Sequence, residues 1–379
     1  MVNKYSICRN CIMDSSDSSI EFDESGQCIY CNNFYSTILP KWQYNLKDEK
    51  GLYKVIDKIK QQGKGKDFDC IIGLSGGLDS SYLAYIAKVK FNLRPLLFHV
   101  DAGWNTDKAV GNIEKLVDAL GLDLYTEVIN WEEMKDLQVS FLKAQIPHQD
   151  IPQDTAFFSE LYKFARKHRI KYVLTGGNYS TECIREPDEW GVCPGIDKTL
   201  ITDIHSKYGT RPLETFTIID VFVSKVYYKY ILGMQVFKPL DFIQYKKSDA
   251  EDELNNFCGW EKFRHKHHES RFTRFFEDHW LPKKFGFDKR RAHFSSLILT
   301  NQMTRKDAMK RIEHPELEEH FIQQEFEFIS HKLGLTSDEL KAIFEGSNKS
   351  IKDYKNKQFL VNLGSKFMQK FGLEKRLYK

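Results

Sequence analysis

Two groups of residues in this chain have the types and spacing to do chemistry: Ser75-Gly76-Gly77-Leu78-Asp79-Ser80-Ser81, and the cysteines Cys8, Cys11, Cys28 and Cys31. The first follows an apolar run (Phe68, Cys70, Ile71, Ile72, Leu74) and precedes an amphipathic stretch (Tyr82, Leu83, Tyr85, Ile86, Val89). That reads as a strand, a glycine turn and a helix start. Such a turn leaves backbone N–H groups unpaired and aimed outward, and the helix dipole adds partial positive charge, so an anion belongs there. Adjacent glycines let the backbone approach the anion closely, and Ser80 and Ser81 add hydroxyl donors. The expected anion is a polyphosphate. Asp79 is the catalytic candidate, able to hold Mg2+ directly or through water because a hard cation prefers carboxylate and phosphate oxygens. A carboxylate favoured by the helix dipole is a compatible structural role.

The cysteines form two C-x2-C turns separated by sixteen residues, a spacing expected of a four-thiolate zinc site. The intervening Ile20, Phe22 and Asp23-Glu24-Ser25-Gly26 predict a small hairpin that brings the turns together. Four sulfurs leave no open coordination position, so the metal is structural. About 30 residues bury too little surface to fold alone, and the metal supplies the missing free energy. A redox pair or iron–sulfur cluster is the rival. Cys70 reads as a small buried residue, and Cys183, Cys193 and Cys258 show no spacing for a second metal.

The elements that must position these groups alternate along the chain. A helix through Leu52, Val55, Ile56 and Ile59 ends in a flexible connector at residues 61–66. Strands are predicted through Leu96–Val100, Leu122–Ile129 and Lys171–Thr175, with helices at Ile113–Leu120, Trp131–Ala144 and Thr155–His168. Alternating strands and helices imply α/β architecture with a doubly wound parallel sheet. Ligands bind beyond the carboxyl ends of such strands, where Ser75–Ser81, Asp101–Asn105 and Gly176–Asn178 all fall. The expected division is a zinc-ribbon module at 1–35, a phosphate-loop α/β domain at 36–260, and a basic, aromatic segment with a helical C-terminal region at 261–379.

With 41% hydrophobic and 29% charged residues, the composition is that of a globular chain, not a disordered one. No apolar run approaches the roughly 18–20 residues of a membrane span, so no membrane insertion is expected. MVNKYSICRNC lacks the apolar stretch of a secretory signal, which makes the cytoplasm the expected location. A net charge of +3 does not by itself argue for nucleic acid.

From Lys262 to His293 ten Lys/Arg face four acids, interleaved with five histidines and several aromatics. So many rings imply partial burial, and buried arginines need anionic partners. An anionic substrate would provide one. Residues 304–379 read as ordinary amphipathic helix with no chemistry.

A Walker A loop places a lysine on the β- and γ-phosphates, and none follows Gly77. The string SGGLDS instead resembles the PP-loop of the ATP pyrophosphatase superfamily, whose members split ATP between the α- and β-phosphates. That resemblance implies that Ser75, Gly76, Gly77, Asp79, Ser80 and Ser81 hold the phosphates. It also implies that His99, Val100, Asp101 and Gly103 line the adenosine pocket, and that Gly176, Gly177 and Asn178 approach from the neighbouring strand. Lys238-Pro239-Leu240 looks like the late segment that closes such a domain.

The cysteine pairs, the Ser75 loop, LTGGNYSTEC (174–183) and ESRFTRFFEDHWLPKKFGFDKRRAHFSSLIL (269–299) together resemble the N-acetyl sugar amidotransferase family, which acts in bacterial lipopolysaccharide O-antigen and flagellin-glycan sugar pathways. The resemblance covers nearly the whole chain. It implies conversion of a sugar's acetamido group to acetamidino with ATP, Mg2+ and ammonia, through an adenylated imidate. No covalent nucleophile is needed. The substrate-side candidates are Glu182, Arg185, Trp190, His205, Glu269, Arg271 and Arg274. No domain is left over to hydrolyse glutamine, and the resemblance implies a separate glutaminase subunit with a barrel-type channel protein. The chief alternative is a tRNA thiolase with the same loop and an N-terminal zinc module, for which Cys183 and Cys193 are candidate catalytic cysteines, though not at C-x2-C spacing. A zinc-bearing scaffold with a degenerate loop is the non-enzymatic alternative.

Overall fold

The apolar runs become five short strands: β1 Cys70–Gly73, β2 Pro95–Asp101, β3 Leu124–Val128, β4 Tyr172–Leu174 and β5 Gln235–Phe237. In the computed structural model, which describes residues 5–191 and 195–370, they form one sheet in the order β3-β2-β1-β4-β5. Every pairing is parallel. β1 is the centre: Ile71 lies opposite Leu96 on one side and Val173 on the other. The strand order reverses between β1 and β4, the position at which doubly wound sheets open a crevice for ligands.

Alternation along the strands fills two cores. Ile71, Leu96 and Phe98 point into one, with Phe141 and Leu161 of the helices Trp131–Lys143 and Ile151–Lys167. Ile72 and Leu97 point into the other, with Leu83 and Ile86 of helix Leu78–Val89 and Leu116 of helix Asp107–Leu120. Successive side chains leave a strand on opposite faces, so one apolar run serves both layers.

The C-terminal region is helical: Arg271–Phe275, Arg290–Leu299, Arg305–Ile312, Glu319–Lys332, Ser337–Glu345 and Gln358–Lys370, with a π-helical turn at Phe276–Phe285. It completes the first core, which Phe272, Phe275, Phe276, Trp280, Ile329 and Leu340 share with the sheet. A strap fixes it to the loop after β2. Thr106 N–H donates to Glu269 O at 2.9 Å, Arg271 N–H donates to Trp104 O at 2.7 Å, and Ser270 bridges Asn105. This strap carries the start of the basic segment to the carboxyl ends of the strands.

The hairpin expected between the cysteine pairs is reduced to one bridge, Phe22 to Cys28, closed by the turn in which Gly26 N–H donates to Asp23 O at 2.8 Å. The cysteine module sits on helices Arg290–Leu299 and Arg305–Ile312. Arg305 donates to the carbonyls of Cys8 and Cys11, both at 2.9 Å, and Arg291 donates to Ile12 O at 3.0 Å. Among the described residues no helix is long and apolar enough to cross a membrane.

Candidate functional site

The loop between β1 and helix Leu78–Val89 has the geometry of an anion cradle. Gly76 has φ +81°, and a Cβ there would lie 2.5 Å from Ala109 O. Both the left-handed backbone and the approach of the neighbouring helix require glycine. Trp260 Nε1 and Asn112 Nδ2 donate to Gly76 O at 3.2 and 3.4 Å and hold the loop still. Ser80 Oγ lies 3.3 Å from Ser75 N and 3.2 Å from Ser75 Oγ, so both hydroxyls line one hollow at the helix N-terminus. Ser81 differs. One helical step turns its side chain into the core, where it is wholly buried. Its buried hydroxyl has no hydrogen-bond partner among the described residues.

The loop after β4 meets the cradle at the switch point. A Cβ on Gly176 would lie 2.8 Å from the backbone carbon of Asp79, and one on Gly177 would lie 2.9 Å from Lys238 Nζ. Asn178 donates to Asp79 Oδ1 at 3.4 Å and accepts from Thr181 N–H at 2.8 Å. Asp79 also accepts from the Tyr245 hydroxyl. Burial pushes the Asp79 carboxyl above the usual range, with Glu182 adding to the effect against Lys266. A cation bound there would reverse that shift.

On the β2 side, His99 Nδ1 bonds Leu74 O at 2.7 Å and its Nε2 meets Asn105 Nδ2 at 2.9 Å. With both nitrogens engaged, His99 ties the loops together. Val100 is buried in the first core. Asp101 Oδ1 accepts from Gly103 N–H at 2.8 Å and Asn105 at 3.1 Å. Gly103 has φ +84°, with Trp131 2.6 Å from where a Cβ would sit.

Facing the cradle is a chain of charges that sequence reasoning largely missed. Lys266 pairs with Glu182. Burial works against the lysine's charge, but Glu182 and Asp79 outweigh it and hold Lys266 protonated. His267 Nδ1 lies 2.9 Å from Glu277, and Lys289 bridges Glu277 at 3.0 Å and Glu186 at 3.2 Å. Burial lowers the His267 pKa, but Glu277 overrides it and lifts the value to about 9. Asp150 and Asp154 complete this wall. Burial pushes their carboxyls up to about 7 and about 6, partly offset by Lys289. Asp154 is nonetheless exposed. The available signal was the density of charge in HKHHES, whose partners lie elsewhere in the chain.

The other substrate-side candidates divide sharply. Glu182 and Glu269 reach the site: Ser75 Oγ donates to Glu269 Oε1 at 3.3 Å. Trp190 is fully buried, stacks with Phe287 and packs among the cysteine-module residues, so it cannot touch a substrate. His205 holds Asp136 at 2.9 Å and joins two helices. Arg185 pairs with Asp188 on its own loop at 2.8 Å. Arg271 and Arg274 do have an anionic partner, but it is the buried Glu325, at 2.7 and 2.9 Å. The expected substrate anion is replaced by a carboxylate from a helix that seemed to carry no chemistry.

The four cysteine sulfurs lie within 4.8 Å of one another and are buried. Neighbouring sulfurs are 3.6 to 3.8 Å apart. A tetrahedron with bonds of about 2.3 Å has edges of about 3.8 Å, so the set fits one zinc ion. A cluster containing its own sulfides would spread the thiolates further. Cys28 N–H donates to Cys8 Sγ at 3.2 Å and Met13 N–H to Cys11 Sγ at 3.4 Å, stabilising thiolates. Cys193 lies outside the described residues.

Residues 65–177 match the asparagine synthase family. Fold, loop and match define a PP-loop ATP pyrophosphatase domain. Residues 269–370 match the C-terminal domain of WbpG-like lipopolysaccharide biosynthesis proteins. The chain thus joins a PP-loop domain to a WbpG-like C-terminal domain, consistent with the sugar amidotransferase family that its sequence resembles.

The uncharacterized protein MJ1599 of Methanocaldococcus jannaschii is 25% identical over 186 residues, covering 48% of this chain and 63% of that protein. The chain thus spans less than two thirds of that relative's length. Among solved structures, NMN synthetase from Francisella tularensis is 14% identical with TM-score 0.32, over 79% of this chain and 97% of that one. The NH3-dependent NAD synthetase from Campylobacter jejuni is 16% identical with TM-score 0.31, over 73% and 99%. The U34-tRNA thiolase NcsA from Methanococcus maripaludis, solved with its 4Fe–4S cluster, is 12% identical with TM-score 0.32, over 71% and 82%.

Proposed function

We infer that this protein is an ATP-dependent amidotransferase that converts a sugar acetamido group to acetamidino in bacterial surface-glycan biosynthesis. One observation supports the reading most. Glu269, the first residue of the WbpG-like segment, bonds Ser75 of the phosphate loop, so the nucleotide cradle and the family-specific segment meet at the switch point. In this reading residues 1–35 are the zinc module, 36–260 the ATP-binding unit and 261–379 the acceptor-side and helical region.

An amide carbonyl is a poor electrophile until its oxygen becomes a leaving group. The amide oxygen attacks the α-phosphorus, the bond to the β-phosphate breaks, and pyrophosphate departs. Ammonia then attacks the imidate carbon and loses a proton, and AMP leaves with the original oxygen. The chain's part is positioning and charge stabilisation. Ser75, Ser80 and the loop N–H groups hold the phosphates, while Lys238 and Lys266 place positive charge beside the bond that breaks. Asp79 with Glu182 would hold Mg2+, which neutralises the departing pyrophosphate. Asp150 and Asp154, titrating near neutrality, suit sugar hydroxyls or the proton released from ammonium. A dry site would protect the imidate from water. Ammonia comes from a partner glutaminase through a channel protein, and the protein works in the cytoplasm.

The test is mass spectrometry on candidate nucleotide sugars incubated with ATP, Mg2+ and ammonium. The product should lose about 1 Da, oxygen being replaced by NH in the positioned amide, with AMP formed in equal amount. ADP and orthophosphate would refute the reading. Efficient use of glutamine by the isolated chain would refute the separate glutaminase. The thiolase alternative gains nothing from Cys183, whose thiol donates to Ser296 O and is pushed by burial up to about 12.

A further inference from the structure

Glu269 occupies a place that its own charge makes unusual. Its Oε1 accepts from Ser75 Oγ at 3.3 Å, and a Cβ on Gly77 would lie only 2.6 Å from that oxygen. These are the hydroxyl and the space that a phosphate oxygen takes at a helix N-terminus. The main chain of Glu269 is fixed by its carbonyl's bond to Thr106 N–H at 2.9 Å and by the neighbouring bridge from Ser270 to Asn105. The half-buried side chain can still turn. Its charge already supports that of His267 on the facing wall.

We propose that Glu269 is an internal phosphate mimic: it competes with the nucleotide's phosphates for the Ser75–Gly77 cradle, and a bound polyphosphate turns it toward Lys266 and His267. Two anions cannot share one set of donors in a half-buried hollow. Nucleotide binding therefore moves a carboxylate of the acceptor wall, and the wall is complete only after ATP is in place. This rests on the reading of Ser75–Ser81 as a polyphosphate loop.

The test titrates the full-length protein with α,β-methylene-ATP by calorimetry, in EDTA and again with Mg2+. Glu269→Gln keeps the size and removes the charge, and Glu269→Ala removes the group. Both variants should bind the analogue about tenfold more tightly than the parent in EDTA, as expected for relief of like-charge repulsion at a partly screened site. Pyrophosphate should show the same order. Unchanged or weaker binding by both variants overturns the proposal. So does a loss of affinity seen only with Mg2+, which would make Glu269 a metal ligand. Binding by the parent without gain in the variants counts against Glu269 alone, whereas no binding by any form sinks the phosphate loop with it.

Discussion

Replacing Glu325 asks whether Arg271 and Arg274 build this protein or bind its substrate. The Glu325 side chain is 1% exposed and takes Arg271 Nε and Nη2 at 2.7 to 3.1 Å and Arg274 Nη2 at 2.9 Å. Arg271 lies 3.4 Å over the Phe328 ring and Arg274 4.9 Å over that of Phe321. Glu325→Ala leaves two guanidinium groups together without their counter-ion. Breaking a buried pair from one side costs roughly 3–5 kcal/mol. The Arg271 side chain is 33% exposed, so water screens part of the effect. About 2–4 kcal/mol is expected after that discount. At about 2–4 °C per kcal/mol, the thermal midpoint should fall by roughly 4–16 °C. Glu325→Gln, which keeps the size and part of the hydrogen bonding, should fall between. The assay is urea and thermal unfolding, with steady-state kinetics on Arg271→Ala beside it. Structural arginines lower stability and kcat together as the core loosens, whereas substrate-binding arginines raise KM at an unchanged midpoint. A Glu325→Ala protein that melts within about 1 °C of the parent, or binds an anionic sugar more tightly, would falsify the structural assignment.

Other outcomes follow from the same geometry. Gly176→Ala drives a Cβ to 2.8 Å from the Asp79 backbone, and should cost about 1–3 kcal/mol while weakening nucleotide binding more than tenfold; full ATP affinity would mean the two loops do not meet. Cys11→Ser should lower the zinc content from about one ion per chain toward zero, and should destabilise helices Arg290–Leu299 and Arg305–Ile312, because Arg291 and Arg305 are bonded to the module's carbonyls. Metal analysis with hydrogen exchange reads both, and full protection in a zinc-free protein would be the contrary result. His267, lifted to about 9 by Glu277, has a folded pKa above its unfolded value. Its contribution to stability is complete below about 6.5 and is lost as pH rises through about 9. The parent should lose stability between pH 7 and 9.5 and His267→Gln should lose less; parallel curves would rule out the pair as the cause.

What could be read without the fold was local. The loop Ser75–Ser80, the helix start behind it and the four cysteines each specify geometry within a few residues, and backbone preference and thiolate chemistry suffice to recognise them. The alternating apolar runs likewise implied a parallel sheet, since each run is too short for a helix and too buried for an exposed strand. Ser81 shows the limit within a single turn: its neighbour faces the hollow, and only the helix phase, set by packing, sends it inward.

Charge was another matter. Arg271 and Glu325 are 54 residues apart, Lys266 and Glu182 84, and Ser75 and Glu269 194. A run of basic residues states that anions must be near, but the amino-acid types do not say which ones. The strap between Thr106 and Glu269 and the packing of helix Glu319–Lys332 made that choice. Burial then set its strength, for a carboxylate removed from water is held only by the cations the fold brings beside it. Sequence alone thus determined that a glycine phosphate loop and a four-cysteine cluster able to hold a metal are present. Tertiary structure decided which charges remain to face a substrate, because desolvation and ion pairing act through space and not along the chain.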